Sequence, residues 1–261
     1  MDLYMNPSLA EGYSSRSQAA RRITEDWASR NLFCLACASD RVTPERPNAP
    51  VTDYRCPECG AAYQLKSVKG SFGSTVSNSA YAPKLAAILN DRAPHYAFLQ
   101  YSEPAWLVTD LFVLPGYLLS PAVIQERRPL RETARRSGWI GSNILLSRLP
   151  VDARVQVVSA GVARDPLEAR RDWRRYSFLQ TDRRSRGGWG ATMLLCVRAL
   201  QQETKSDEFT LQNFYKRFGT ELASRYQNNK HVEAKIRQQL QVLRDGGVLE
   251  FLGRGRFRVI T

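Results

Sequence analysis

The stretch Asp53-Tyr54-Arg55-Cys56-Pro57-Glu58-Cys59-Gly60-Ala61-Ala62-Tyr63-Gln64-Leu65-Lys66 carries two chemistries at once. Cys56-x2-Cys59 is the second of two cysteine pairs. The first, Cys34-x2-Cys37, lies upstream, with 18 residues between the pairs. Each x2 spacing lets a tight turn aim two thiolates at one ion, so the four cysteines predict a tetrahedral zinc site. Four thiolates leave no open coordination position, which makes that Zn²⁺ structural. Pro57 and Gly60 suit a turn between two short strands, 51–55 and 61–67.

The second chemistry is an acid followed by a polar-x-Lys triplet on the next strand. Phosphodiester hydrolysis needs a divalent ion to offset developing charge, and hard Mg²⁺ prefers oxygen ligands. Asp53 would supply a carboxylate, Gln64 a side-chain carbonyl and Leu65 a backbone oxygen. Lys66 would orient or help deprotonate the attacking water and hold charge on the phosphate. Residues 64 and 66 share one face of a strand, so Gln64 and Lys66 both reach such a site while Leu65 packs inward. This arrangement resembles the PD-(D/E)XK nuclease signature, with Gln64 in place of the usual acid. Gln-x-Lys variants resemble the Mrr-like nucleases. Glu25, on the first helix, is either one more acid at the metal or an ordinary solvated helix residue.

Outward from this stretch, residues 17–31 have helical spacing and lead into the first cysteine pair, and 38–50 read as a loop. A helix is expected over 79–90, and strands over 95–101 and 106–114. A strand-rich centre with helices on its faces is an α/β or α+β architecture. Further on, helices are expected over 191–202, from a Thr210 cap to about 226, and over 231–244 from an Asn228 or Asn229 cap. A hairpin over 248–252 and 257–260 follows. Three helices and a hairpin are the order of a winged helix, whose third helix enters the major groove. Asn229, Lys230, His231, Lys235 and Arg237 on that helix, and Arg254 and Arg256 on the wing, are the expected DNA contacts.

Net charge is +13 over 261 residues, and the pI is about 9.8, a balance that suits an anionic partner, with nucleic acid first. The excess is uneven: residues 183–261 hold 15 Lys+Arg against 7 Asp+Glu. A composition break at 182–188 reads as a basic interdomain linker, which divides the chain into 1–182 and 183–261. No apolar run reaches a membrane span. The polar residues 1–18 lack a signal-peptide core, so a cytoplasmic location with reduced thiols is expected. Cys196 lies on an apolar stretch and reads as a core residue.

Longer runs carry a closer resemblance. These are Thr24-Glu25-Asp26-Trp27, Asp53-x2-Cys56-x2-Cys59, Leu65-Lys66-Ser67-x-Lys69-Gly70, residues 133–141 and residues 235–245. On them the chain resembles the DpnI-like, methylation-dependent restriction endonucleases along essentially its whole length. The resemblance implies a zinc-bearing PD-(D/E)XK catalytic domain over 1–182 and a winged helix over 183–261. It implies a monomer that cuts double-stranded DNA at GATC sites carrying N6-methyladenine. Gln64 departs from the family, which carries Glu there. Ser67, Lys69, Arg135 and Arg136 join the expected DNA contacts. Trp139, flanked by Gly138 and Gly141, reads from its residues either as a base-stacking aromatic or as a core tryptophan. The resemblance implies contact near the methylated base. A DNA-binding protein on an inactivated nuclease scaffold is the competing expectation.

Overall fold

The computed structural model describes residues 1–46 and 52–260. The first elements in chain order are α1 (Arg16–Asn31), β1 (Thr43–Pro44), β2 (Tyr54–Arg55), β3 (Ala62–Lys69) and β4 (Thr75–Ala80). Next come α2 (Tyr81–Leu89), β5 (His95–Ser102), β6 (Leu107–Leu114), β7 (Ile124–Glu126), β8 (Gly141–Leu145), β9 (Val155–Ser159) and β10 (Val162–Ala163). The remainder are α3 (Pro166–Arg174), α4 (Phe178–Thr181), α5 (Trp189–Thr204), β11 (Glu208–Thr210), α6 (Leu211–Arg225), α7 (Val232–Asp245), β12 (Leu249–Gly253) and β13 (Arg256–Val259). Two compact units share the chain. One is Met1–Ser79, Pro94–Gly116 and Val151–Arg175; the other is Ala80–Ala93, Tyr117–Pro150 and Tyr176–Thr261.

The first unit is built on a mixed sheet of order β1-β2-β3-β5-β6-β9-β10. β3 and β5 run parallel, in the register Tyr63↔His95, Gln64↔Tyr96 and Lys66↔Phe98. Because side chains alternate across a strand, Tyr63, Leu65 and Ser67 face one way and Gln64 and Lys66 the other. Two helices cover the first face. α1 buries Ile23 and Trp27 completely and bonds Ser67 through Thr24, hydroxyl to hydroxyl, at 3.1 Å. α3 places Trp173 edge-on to His95 at 4.6 Å, and His95 in turn meets Tyr63 at 5.1 Å. Burial pushes the His95 pKa down to about 4, and its Nδ1 accepts the Gly116 amide, so this histidine is a neutral core residue. On the second face Phe98 stacks on Phe112 at 4.8 Å and Phe72 closes over both.

The second unit holds a β7–β8 antiparallel hairpin and, after α5, the series β11, α6, α7, β12, β13 with sheet order β11-β13-β12. This is the winged-helix arrangement. The core explains the helices. Phe214, Phe218 and Leu222 recur at four-residue spacing on α6, as do Ile236 and Leu240 on α7, and all are buried. Thr210 caps α6 by accepting the Asn213 amide at 3.1 Å. Cys196 is buried on α5.

Three expectations need correction. The 182–188 segment is not an open linker. Asp182 accepts the Arg184 amide at 2.8 Å, and the Arg184 guanidinium bridges Asp182 and Asp245. The Arg184 carbonyl receives Lys235 Nζ at 2.7 Å and Gln239 Nε2 at 2.6 Å. Composition alone hid this, because the other partners, Asp245, Lys235 and Gln239, lie 51 to 61 residues away. α7 starts at Val232, and Asn229 caps the preceding turn by accepting the His231 amide. Of the strand expected over 51–55, Tyr54–Arg55 form β2 while Thr52 and Asp53 precede it; Val51 and loop residues 47–50 lie outside the described residues. Among the described residues no helix is long and apolar enough to cross a membrane.

Candidate functional site

The cysteine pairs converge in the first unit. All four Sγ atoms lie within 4.8 Å of one another, with Cys34–Cys59 and Cys37–Cys56 each at 3.6 Å. Thiolates at tetrahedral zinc, with Zn–S near 2.3 Å, are separated by about 3.8 Å, so the cluster is compatible with structural zinc. Its surroundings are specific. The Tyr63 hydroxyl is 3.3 Å from Cys34 Sγ and accepts the Leu35 amide at 3.0 Å. Burial, and then the neighbouring Cys34, raise the Tyr63 pKa, keeping this hydroxyl a proton donor. Burial also pushes the Cys34 thiol up, while the Tyr63 contact and the backbone amides of Cys37 and Ala36 draw it down. Arg170 from α3 closes the knuckle, donating to the Cys34 carbonyl at 3.1 Å and the Ser39 carbonyl at 3.0 Å.

One residue beyond Tyr63 the strand serves the opposite face. Asp53 Oδ2 accepts the Leu65 amide at 2.9 Å, and the Asp53 amide donates to the Tyr63 carbonyl at 2.9 Å. The acid is therefore fixed to β3 by two bonds that bracket Gln64. Burial raises the Asp53 pKa. The Leu65 amide and Lys66 oppose that rise, and Glu25 adds to it. Burial lowers the Lys66 pKa, with Asp53 opposing. An acid and an ammonium each destabilised as ions by burial, and each favouring the other's charge, are the kind of pair that clusters at functional sites.

Among the described residues, the buried Gln64 Oε1 has no hydrogen-bond partner. A buried carbonyl left bare costs about 1–3 kcal/mol, and a cation beside Asp53 would satisfy it. Within a strand, the amide and carbonyl of one residue point to the same side, so the Leu65 carbonyl lies on the Asp53 side of β3. The donor set is all oxygen, which suits Mg²⁺. Glu25 lies close enough to act on Asp53 electrostatically, and its carboxylate pairs with Arg21 at 2.6 Å. Asn78 Nδ2 donates to the Tyr96 hydroxyl at 3.0 Å, across the strand from Gln64.

Other expected contacts are distributed as follows. Ser67 is exposed but tied to Thr24. Lys69 is exposed and pairs with Glu103 at 2.6 Å. In the second unit Arg135 and Arg136 are exposed, while Trp139 is half-buried. The Trp139 ring lies so close over Gly141 that a Cβ there would sit 2.7 Å from Cζ3. Asn229, Lys230 and His231 line a concavity of about 890 Å³ with Arg186 and the stacked pair Trp189–Tyr226, whose rings are 3.9 Å apart. Arg237 is exposed and donates to the Tyr215 hydroxyl at 2.8 Å. Lys235 is turned inward, its ammonium held by the Arg184 carbonyl and Gln238. At the wing, Arg254 and Gly255 both take positive φ (50° and 72°), a tight two-residue turn that leaves Arg254 and Arg256 exposed.

Gln241 was not singled out from the sequence. It is exposed on α7 one turn beyond Arg237, and a glutamine can bond an adenine edge with both amide atoms. The i, i+4 spacing from Arg237 was the available signal. Arg258, by contrast, pairs with Glu208 and Glu250.

The family description that matches residues 1–182 is DpnI, the Dam-replacing family, and the one that matches residues 185–259 is the Dam-replacing HTH domain. The second is a DNA-binding module and agrees with the winged helix built from α5 to β13. The first covers the cysteine cluster together with Asp53, Gln64 and Lys66, and supports a restriction nuclease. With most of its length matched, this chain belongs to the DpnI, Dam-replacing family.

Proposed function

We propose that the chain is a methylation-dependent restriction endonuclease that hydrolyses double-stranded DNA at GATC sites carrying N6-methyladenine. The observation that carries the nuclease part of the reading is Asp53, fixed to β3 by the Leu65 amide and interacting electrostatically with Lys66, within a chain that belongs to the DpnI, Dam-replacing family, whose resemblance supplies the methylation dependence. Asp53, Gln64 and the Leu65 carbonyl would hold Mg²⁺, which supplies charge stabilisation for the phosphate and an acidified water. The protein's own part is positional. The Leu65 amide fixes the Asp53 carboxylate, and Lys66, its ammonium eased toward neutrality by burial, orients the attacking water or takes its proton. Zn²⁺ on Cys34, Cys37, Cys56 and Cys59 pins the turn between the two strands. In this reading residues 1–182 are the catalytic module and 183–261 the DNA-reading module of a cytoplasmic monomer. Arg237, Gln241 and the Arg254–Arg256 wing contact the duplex, and Trp139 sits near the methylated base.

Digestion of one plasmid prepared from adenine-methylating and from non-methylating hosts tests this. Mg²⁺-dependent fragments from the first preparation alone are expected, and equal cutting of both refutes methyl dependence. Gln64 itself favours a second reading, a methyl-DNA-binding protein with weak or no catalysis, because a neutral ligand binds the metal less tightly than an acid. Tight binding to methylated duplex with no cleavage at any Mg²⁺ concentration would establish it.

A further inference from the structure

The loop joining β7 to β8 carries the densest positive charge in the chain, Arg127-Arg128-Pro129-Leu130-Arg131-Glu132-Thr133-Ala134-Arg135-Arg136. All five arginines are exposed. Most arginines elsewhere that are close to an acid are paired with it, among them Arg21, Arg30, Arg55, Arg164, Arg184, Arg217 and Arg258. None of the loop arginines has an ion pair or a side-chain hydrogen bond among the described residues, although Glu132 lies among them.

The loop is also built. Beyond the paired strands the ladder continues, with the Arg127 amide on the Gly141 carbonyl at 2.9 Å and the Leu130 amide on the Trp139 carbonyl at 3.0 Å. The Gly138 amide returns to the Leu130 carbonyl at 3.1 Å from a φ of 75°. Trp139 and the Arg127 stem both pack over Gly141. The tip, 131–137, is thus displayed on a closed neck, which lowers the entropy lost when its side chains engage a ligand.

We propose that this loop is a phosphate grip that holds the duplex backbone without regard to methylation, so that it contributes affinity and leaves selectivity to other residues. The proposal rests on the DNA-cleaving function proposed above. Planar guanidinium groups match phosphate oxygens in pairs, and phosphate contacts position a protein on DNA without reading sequence.

The test uses full-length protein carrying Asp53→Ala, so that substrate survives, with matched methylated and unmethylated GATC duplexes titrated across NaCl concentrations. One variant adds glutamine at all five arginines. A milder one changes only Arg131, Arg135 and Arg136, outside the closed neck, and thermal unfolding checks that each is folded. Every arginine–phosphate pairing removed should flatten log K against log[salt] by about 0.9, so the milder variant should lose up to ~3 from the slope and the fuller one up to ~4.5. The ratio of methylated to unmethylated affinity should stay within about twofold of the parent's. A slope unchanged in both variants overturns the grip. A collapse of the methylation ratio overturns its indifference to the mark. If the Asp53→Ala parent binds both duplexes equally yet loses slope in the variants, methyl dependence fails while the grip stands.

Discussion

Replacing Tyr63 with phenylalanine removes one oxygen from a fully buried site. The hydroxyl is completely buried, as is nearly all of Leu35, and it both approaches Cys34 Sγ at 3.3 Å and accepts the Leu35 amide at 3.0 Å. Leaving the buried amide bare costs about 1–3 kcal/mol of folded-state stability. Loss of the hydroxyl donor to the thiolate acts on the metal-bound state, where an outer-shell partner is typically worth 10- to 100-fold in affinity, or about 1.4–2.8 kcal/mol at 1.4 kcal/mol per decade. Tyr63→Phe should therefore bind Zn²⁺ about 10- to 100-fold more weakly in competition with a chromophoric chelator at fixed pH. It should also unfold at a lower temperature. Tyr96→Phe, a buried tyrosine on the neighbouring strand that faces the other side of the sheet, is the control and should leave zinc affinity unchanged. Zinc affinity within twofold of the parent in Tyr63→Phe would refute the reasoning, whatever happened to stability.

Asp53→Asn should abolish cleavage yet stabilise the Mg²⁺-free protein at neutral pH. Burial raises the folded pKa of Asp53, so its favourable contribution is full below the unfolded pKa and is lost as pH rises through the folded value. Thermal midpoints measured across that acidic window should diverge between parent and variant as pH rises, and parallel curves would contradict the sign. Gln64→Glu should keep or raise cleavage and lower the Mg²⁺ concentration for half-maximal rate, since it restores a charge beside Asp53; loss of cleavage would show that Gln64 is not a metal ligand. Gly246→Ala would drive a Cβ into the Phe178 ring, costing about 1–3 kcal/mol by overpacking. Phe178→Ala in the same chain should recover part of that, and strict additivity in urea unfolding would rule out the contact. A fragment beginning at Tyr176 should be more stable than one beginning at Gly187, because only the longer one keeps Phe178 against Gly246 and the Arg184 carbonyl under Lys235 and Gln239.

Local chemistry was the legible part. The x2 cysteine spacings, the Asp53-to-Lys66 interval and the four-residue apolar period of α6 and α7 are short-range patterns, and each predicts geometry within a few residues of itself. What escaped depends on partners far apart in the chain. Lys235 looks like a groove contact on a helical wheel, and it is drawn inward by a carbonyl 51 residues away. The start of α3 was legible and went unread, an Asp165 cap followed by Pro166 at the first helical position; its partners were not, because α3 delivers Trp173 and Arg170 to His95 and Cys34, far away in the chain. Gln64 could be named as a ligand from strand alternation, whereas the bareness of its oxygen is a property of the packed fold alone.

β3 turns neighbouring residues to opposite faces, Tyr63 toward the cysteines and Gln64 away from them. Parity therefore governs the turn that precedes it. One residue inserted or deleted between Cys59 and Tyr63 would rotate every following side chain to the opposite face, sending a hydroxyl to the hydrolytic side and an amide into the thiolates. Length changes tolerated in that turn should therefore come in even steps.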